Sequence, residues 1–346
     1  MAEGIFSELV EGLQKTLVEK KWTPTPVQEA SQSAIASGKD RLVIAPTGSG
    51  KTMAAMLPLL DRAIRSEWEG MSILYITPLR ALNRDVDRRL EEIVSSVGLT
   101  LGLRHGDTKQ SERTKQVRKP PNVMITTPET FQLMFTGSKI RELLRTVEAV
   151  IIDEVHELAA GERGWQLSVG ISRLEQFKGS TIQKVGLSAT VGNPDQVAKW
   201  LSKDGEAIVT EAPRITELNV DAIIPLPEDE IGSLELAISP RAHATLRGLA
   251  EIVTNNNPCL IFVNSRNSAE TVSQRLQSIA PDLKIGVHHG SLARETRQQM
   301  EDDLRSGSLQ GLVCTSSLEL GIDVGSVNHV VQIRSPRSVD RMLQRV

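Results

Sequence analysis

Short apolar segments alternate with helix-like segments along most of the chain, and this alternation constrains the fold more than any other feature. Residues 42–44, 73–76, 123–125, 150–152 and 185–187 are short apolar runs, and segments with helical periodicity separate them. Strands that alternate with helices predict a mostly parallel sheet covered by helices. In such a sheet the catalytic loops lie at the carboxyl ends of the strands.

The alternation breaks once and then resumes. Pro213, Pro225 and Pro227, together with the acidic run 228–230, indicate a boundary with a solvated loop, and residues 216–224 are strand-like. Beyond this point strands and helices alternate again. A chain of 346 residues is long enough for two domains with separate cores. We therefore expect an α/β protein with domains at 1–212 and 213–346.

A turn of small residues follows the first apolar segment of this pattern. Residues 45–52 read A-P-T-G-S-G-K-T and precede a helix-like run. Small residues let backbone N–H groups close around phosphate oxygens, and the helix N-terminus adds positive charge. Lys51 would neutralise the outer phosphates and the Thr52 hydroxyl would ligate Mg²⁺. Ala45 stands where this motif usually has glycine, and a glycine-rich turn with a surface lysine is the alternative interpretation.

Two carboxylates, Asp153 and Glu154, end the apolar run 150–152. In a nucleotide hydrolase, Asp153 would hold Mg²⁺ through the water shell of the metal. Glu154 would accept a proton from the attacking water or orient it. The alternative is an acidic helix start, because carboxylates favour helix N-termini in any protein. The phosphate loop upstream favours the hydrolase interpretation.

Several other strand ends carry hydroxyl groups. Residues 77–83 and 126–129 are strand-to-helix turns whose N–H and hydroxyl groups can hold a nucleic-acid phosphate without reading sequence. Helix capping, with proline in the first turn, is the alternative for both. In the second half, 260–266, 288–291 and 315–323 end strands in polar groups. The hydroxyl end of 315–323 could touch a phosphate backbone, while Asp323 could meet the nucleotide ribose.

Composition excludes several classes of function. A net charge of −3 and a pI near 6.1 give no global signature of a nucleic-acid binder, although a local track stays possible. Aromatic content of 3% argues against a sheet that stacks bases.

Cys259 and Cys314 lie in apolar runs, so we expect buried thiols, and the histidines show no zinc-ligand spacing. We find no membrane span or signal peptide and expect a cytoplasmic monomer.

The order of the motifs resembles that of superfamily 2 helicases. The series is Trp22 to Gln28, APTGSGKT, TPLRALN, TTPE, DEVH, SAT, LIFVNSR, HHGS and TSSLELGID. DEVHEL, HHGS, TSSLELGIDVGSV and SPRSVDRMLQRV look most like the large helicase-related (Lhr) branch. The resemblance implies two tandem RecA-like domains with mostly parallel sheets, ATP and Mg²⁺ in the cleft between them, and a nucleic-acid strand that crosses both.

The same resemblance implies a role for individual residues. Gln28 would read the adenine edge, with Trp22 near the base, and Lys51, Asp153 and Glu154 would be catalytic. The implied nucleotide site comprises Gln28, Thr47, Gly48, Ser49, Gly50, Lys51, Thr52, Gly321 and Asp323, with Thr52 and Asp153 on the metal. The implied coupling residues are His156, Ser188, Thr190 and Gln344. The implied contacts to the nucleic-acid strand are Arg80, Thr127, Ser265, Arg266, Thr315 and Ser316.

The last motif departs from the family pattern. It reads roughly Q-R-x-G-R-x-G-R in the family, whereas this sequence ends at Gln344-Arg345-Val346. An arginine that reaches the γ-phosphate contributes about 10³–10⁵ in rate. We therefore expect a truncated second domain in a fragment that hydrolyses ATP poorly.

Three functions are compatible with these features. The first is an ATP-dependent helicase or translocase core acting on single-stranded or partly duplex nucleic acid, with DNA favoured over RNA and 3′-to-5′ movement implied by the resemblance. The second is an ATP-responsive clamp that binds single strands without unwinding. The third is a phosphate-loop hydrolase with no nucleic-acid partner, which the ordered motifs of the second half disfavour.

Overall fold

The structure is a computed structural model. In it the chain forms two compact units, Met1–Pro213 and Arg214–Val346. It describes residues 4–46, 48–78, 84–159, 161–189, 191, 193–210, 219–220, 223–315, 318, 327, 329–336, 342 and 345. Among these residues, no helix combines the length and the apolar character needed to cross a membrane.

The first unit is built on a seven-stranded parallel sheet with strand order β3-β4-β2-β5-β6-β1-β7. Its strands are β1 (Arg41–Ile44), β2 (Ile73–Ile76), β3 (Leu101–Arg104), β4 (Val123–Thr126), β5 (Ala149–Ile152), β6 (Gln183–Ser188) and β7 (Glu206–Val209). Its helices are α1 (Glu11–Glu19), α2 (Pro26–Ala36), α3 (Lys51–Arg65), α4 (Arg84–Ser96), α5 (Gln110–Arg118), α6 (Pro128–Met134), α7 (Ser138–Leu143), α8 (Val155–Ala159), α9 (Glu162–Lys178) and α10 (Pro194–Leu201).

Each face of this sheet contributes to its own hydrophobic core. One core joins the sheet to α1, α2, α3 and α4, and the other joins it to α6 through α10. Strand β1 illustrates the division, because Val43 belongs to the first core while Leu42 and Ile44 belong to the second. This alternation follows from the two-residue period of a strand. The apolar residues at positions 42, 43 and 44 of β1 therefore bury both of its faces.

The second unit contains a four-stranded parallel sheet with strand order β11-β8-β10-β9. Cys259 and Cys314 lie in neighbouring strands, both are buried, and neither is in a disulfide. The strands are β8 (Cys259–Phe262), β9 (Ile285–His288), β10 (Gly311–Cys314) and β11 (His329–Gln332). The helices are α11 (Pro227–Glu235), α12 (Pro240–Asn255), α13 (Arg266–Ile279) and α14 (Arg294–Arg305).

The predicted α/β class with parallel sheets is confirmed, but the prediction for the segment between the two halves is wrong in detail. The acidic run 228–230 forms the first turn of α11 rather than a solvated loop, and the Asp229 side chain is fully buried. Carboxylates are favourable in a first helical turn, where backbone N–H groups have no partner. Of the predicted strand 216–224, residues 219–220 and 223–224 are described and are not in a strand.

Candidate active site

The phosphate loop connects β1 to α3 as the sequence predicts. Gly48 and Gly50 have φ values of +77° and +93°, in the left-handed region that favours glycine. A Cβ atom at Gly50 would come within 2.7 Å of the Gln28 Nε2 atom, so the loop also approaches its neighbour closely there. Gly50 is the N-cap of α3, whose first N–H groups lie at the loop. Thr47 lies outside the described residues.

Alanine in place of glycine at position 45 fits the structure. Ala45 is buried in the core, and its N–H donates to the Ser188 carbonyl oxygen at 3.2 Å. Its φ is not among the positive values of the chain. The loop therefore requires its glycines at positions 48 and 50 and not at 45.

The side chains of the loop are arranged to receive an anion. Lys51 Nζ donates to the carbonyl oxygens of Ala45 and Pro46 at 2.7 and 2.8 Å. Burial lowers the pKa of Lys51, and Glu154 and Asp153 partly oppose that effect. The Ser49 hydroxyl is buried and has no hydrogen-bond partner among the described residues. An ammonium group and an unsatisfied hydroxyl in a glycine turn fit the oxygens of a nucleotide phosphate.

The two predicted carboxylates follow β5, which lies two strands away from β1 in the sheet. Asp153 Oδ2 accepts from the Tyr75 hydroxyl at 2.6 Å, and Asp153 Oδ1 accepts from the Glu154 N–H at 3.0 Å. Glu154 has a φ of +49°, which is uncommon for a residue other than glycine. Strain of this kind is concentrated at functional sites.

Both carboxylates resist ionisation. Burial raises the pKa of Asp153 and also raises the pKa of Glu154, to about 7, with Asp153 as a second cause. Lys51 opposes the shift at both groups. A pKa near neutrality suits a group that must accept and release a proton during turnover.

Two of the predicted coupling residues lie beside Glu154. His156 Nδ1 is 3.1 Å from Ser188 Oγ and 3.6 Å from Glu154 Oε2. Because the Ser188 carbonyl oxygen accepts the Ala45 N–H, polar contacts run from the phosphate loop through Ser188 and His156 to Glu154. Thr190 and Gln344 lie outside the described residues, as do Gly321 and Asp323 of the predicted nucleotide site.

Gln28 connects α2 to the phosphate loop. Its Oε1 atom accepts the Thr25 N–H at 3.1 Å, and its Nε2 atom donates to the Gly50 carbonyl oxygen at 3.4 Å. Trp22 packs against the core of the first unit. The predicted adenine-reading residue is therefore in direct contact with the loop that would hold the phosphates.

The same pocket of residues suits magnesium. Mg²⁺ binds proteins through one or two carboxylates and takes its other ligands from phosphates and water. The Asp153 carboxylate accepts from the Tyr75 hydroxyl, and the Thr52 side chain lies close to the same phenol. Among the described residues, no group of three or more His, Cys, Asp or Glu side chains could hold a metal without such additional ligands.

One described nucleic-acid candidate of the first unit caps a helix. Thr127 Oγ1 accepts the Thr130 N–H at 3.3 Å at the start of α6, and the side chain is buried. Arg163 of α9, which the sequence did not indicate, donates to the Pro78 carbonyl oxygen at 3.1 Å and to Glu129 at 2.6 Å. It thereby joins the turns after β2 and β4. Arg80 lies outside the described residues.

The second unit places its candidates along one sheet edge. Ser265 and Arg266 begin α13 after β8, both are exposed, and Ser265 Oγ accepts the Ser268 N–H at 3.1 Å. Thr315 follows the adjacent strand β10, and its N–H donates to the His288 carbonyl oxygen at 3.2 Å. Carboxyl ends of neighbouring parallel strands share one edge, so these turns are neighbours. Ser316 lies outside the described residues.

Known proteins resemble the chain across both units. Residues 25–197 match the DEAD/DEAH box helicase family, and residues 244–346 match the helicase conserved C-terminal domain. The Lhr helicase/probable uracil glycosylase of Mycolicibacterium smegmatis is 38% identical over 93% of this chain and 24% of that protein. The ATP-dependent helicase Lhr-Core of Methanothermobacter thermautotrophicus is 36% identical over 93% of this chain and 40% of that protein.

A solved structure gives the same result. The Mycobacterium smegmatis helicase Lhr bound to ssDNA and AMP-PNP superimposes with a TM-score of 0.80 at 37% identity. The match covers 98% of this chain and 46% of that one, so the chain spans less than half the length of these relatives. The chain belongs to the DEAD/DEAH box helicases, with two tandem RecA-like domains, and within that family it is related to the Lhr helicases.

Proposed function

We propose that this chain is the ATP-driven core of a nucleic-acid helicase, which couples hydrolysis of Mg-ATP to movement along single strands. The observation that carries the proposal is the cluster of Lys51, Asp153 and Glu154 beside a glycine turn, with the pKa of all three shifted by burial. Desolvated charges at a phosphate-binding turn are expensive for folding and are typical of catalytic sites.

Each residue of the cluster has a distinct role in the proposed reaction. Lys51 releases its two backbone carbonyls and donates to the phosphate oxygens of ATP. Thr52 and Asp153 would hold Mg²⁺, which neutralises phosphate charge when it is bound. Glu154 orients the attacking water and accepts its proton, for which a pKa of about 7 is well matched.

We further propose that His156 and Ser188 couple nucleotide binding at the phosphate loop to the position of Glu154. Their contacts join Glu154 to the Ala45 backbone, so a shift of the phosphate loop on nucleotide binding also moves the partner of Glu154. Gln28 would sense the base while it holds Gly50. The roles of Thr47, Thr190, Gly321, Asp323 and Gln344 rest on the family resemblance.

Nucleic-acid binding is assigned to the turns after the strands. The first turns of α6 and α13 present N–H groups with no intrahelical partner, which suit backbone phosphates and carry no sequence information. Arg266 and Ser265 are exposed at the second of these turns. Arg80, Thr127, Thr315 and Ser316 complete the proposed track. DNA is favoured because a relative at 37% identity was solved with ssDNA, and 3′-to-5′ movement follows the family resemblance.

The first test is the ATPase rate of this chain without nucleic acid, with single-stranded DNA and with single-stranded RNA. We expect stimulation by DNA that is abolished in Lys51→Ala and retained in Lys39→Ala, an exposed lysine just before β1. Equal rates with and without nucleic acid, or full stimulation in Lys51→Ala, would reject the proposal. The rate of the wild-type chain also tests the expectation of poor hydrolysis.

The second test is strand displacement on duplexes with a 3′ or a 5′ single-stranded tail. We expect ATP-dependent displacement from the 3′-tailed duplex. Nucleotide-dependent binding without displacement on either duplex would instead identify a single-strand clamp. A plot of log affinity against log salt concentration has a negative slope. Arg266→Ala should make this slope shallower by about 0.7, because one phosphate contact is lost. Arg305→Ala, at the far end of α14, is the matched control.

A further inference from the structure

Tyr75 is hydrogen-bonded to Asp153, one of the two residues that would face the metal. It is the single tyrosine of the chain, it lies in β2, and its side chain is fully buried. Its hydroxyl donates to Asp153 Oδ2 at 2.6 Å, and the Thr52 side chain lies close to the same phenol. Asp153 follows β5 and Thr52 is in the first turn of α3, so the phenol lies near a strand end and a helix start.

The register of the sheet explains how Tyr75 reaches this position. In the parallel pairing of β2 with β5, Tyr75 is opposite Ile151, and Asp153 comes two residues later. Side chains two residues apart on a strand share a face, and an aromatic ring can span to the diagonal neighbour. Tyr75 and Ile151 belong to the same core as the first turns of α3. The phenol therefore reaches the carboxylate that follows β5.

The hydrogen bonds of Asp153 leave limited acceptor capacity. A carboxylate has about four lone-pair sites. Oδ2 uses one for Tyr75 and Oδ1 uses one for the Glu154 N–H. The orientation of the carboxylate, and hence the lone pairs that remain, is fixed from two sides.

We propose that Tyr75 is a positioning residue of the nucleotide site, which fixes the Asp153 carboxylate beside Thr52 in the arrangement that binds the magnesium ion of Mg-ATP. This inference rests on the proposed function and adds a residue from β2 to it. Tyr75 touches neither nucleotide nor metal and acts through the Asp153 carboxylate to which it donates. Partners of this kind typically change metal affinity by about 10- to 100-fold when they are removed.

The first experiment measures the affinity for ADP with Mg²⁺ and with EDTA. Tyr75→Phe keeps the ring and removes only the hydroxyl. We expect it to weaken binding by about 10-fold or more with Mg²⁺ and to leave binding in EDTA unchanged. Ile73→Val is the matched control, because Ile73 is fully buried in the same strand and core and loses one methylene group. Equal weakening in both conditions, or none, would overturn the proposal.

The second experiment requires no variant of Tyr75. Labelling the tyrosine ring carbons with ¹³C gives one set of signals, since the chain has one tyrosine. We expect the Cζ resonance of Tyr75 to move when Mg-ADP is added and to stay in place with ADP in EDTA. A resonance that does not move at saturating Mg-ADP would show that the phenol does not report on the metal, which contradicts the proposed role.

The two experiments separate failure of this inference from failure of the proposed function. A wild-type chain that binds ADP neither with Mg²⁺ nor in EDTA would reject both. A wild-type chain that binds Mg-ADP, together with a Tyr75→Phe variant of the same affinity, would reject the role of Tyr75 alone.

Discussion

Each unit of the molecule encloses carboxylates, but the two sites have opposite electrostatics. In the second unit, Asp229 accepts from Arg247 at 3.0 and 3.1 Å, from the Leu226 N–H at 2.8 Å, and lies 2.8 Å from His243 Nδ1. The hydrogen bond from Arg247 is the main reason that the pKa of Asp229 lies well below its usual range. In the first unit, burial raises the pKa of Asp153 and Glu154.

The difference separates a structural carboxylate from one that we propose to be reactive. Asp229 is charged, fully paired and placed where α11 starts and α12 passes, so its interactions stabilise the fold. Glu154 shares its enclosure with another carboxylate, and Lys51 offsets only part of the unfavourable energy. The folded chain is destabilised by this arrangement, and a pKa near 7 suits the proton acceptor that we propose Glu154 to be.

The largest expected effect is on the rate of ATP hydrolysis, which should fall when Glu154 is replaced but not when a neighbouring carboxylate is replaced. Glu154→Gln removes the proton acceptor and should lower the DNA-stimulated rate by about 10²–10⁴-fold. Nucleotide affinity should be retained, since Lys51 and the loop are intact. Glu157→Gln, an exposed carboxylate on α8, should hydrolyse ATP at nearly the wild-type rate. Phosphate release measures both variants, and comparable losses in the two would remove the distinction.

A smaller effect is expected in the second unit, on stability rather than activity. Asp229→Asn leaves Arg247 and His243 facing a neutral amide and should lower the thermal unfolding midpoint by roughly 5–10 °C. The matched control is Glu228→Gln, because Glu228 is in the same helical turn and its side chain is 66% exposed. Circular dichroism measures the midpoints. If Asp229→Asn has the same unfolding midpoint as the wild type, the pairing of Asp229 with Arg247 and His243 does not stabilise the unit.

The smallest effect is a difference in pH dependence. The folded-state pKa of Glu154 is raised from 4.5 to about 7, so the folded state is destabilised by its charge as pH rises through this window. Glu154→Gln should therefore stabilise the nucleotide-free chain at pH 8 by up to about 3 kcal/mol, and by about 2 kcal/mol less at pH 5.

Asp229 should behave in the opposite way across the same pH range. Its lowered pKa stabilises the folded state above the unfolded value, about 3.9, and this is lost only as pH falls further. The penalty of Asp229→Asn should therefore persist from pH 8 to pH 5. Urea denaturation of both variants tests the pair of profiles. A Glu154→Gln advantage that is the same at pH 5 and pH 8 would contradict the assigned pKa.

The parts of the site that could be predicted are those with a local signature. Lys51 and Thr52 stand in one strand–turn–helix segment, and Asp153 and Glu154 end another, so adjacent residues define their context. The parallel α/β class follows for the same reason, from strand and helix lengths. Strands β3 and β7 were not predicted, because both are less buried than the central strands and lack a continuous apolar run.

The parts that could not be predicted depend on distant contacts. Tyr75 is 78 residues from Asp153, and in the sequence it is one more residue of an apolar strand. Asp229 belongs to a run that resembles a solvated loop, because its partners Arg247 and His243 lie on the next helix. The contacts of Arg163 could not be predicted either, because its partners Pro78 and Glu129 are distant in sequence.

The position of β1 within the sheet has a mechanical consequence. All four residues of β1 pair with β6 on one side and with β7 on the other, and the phosphate loop continues directly from this strand. Tension applied along β1 would slide this strand past β6 and β7. The hydrogen bonds on both sides of β1 would resist this movement together, instead of breaking one after another. The strand is therefore stiff along its axis.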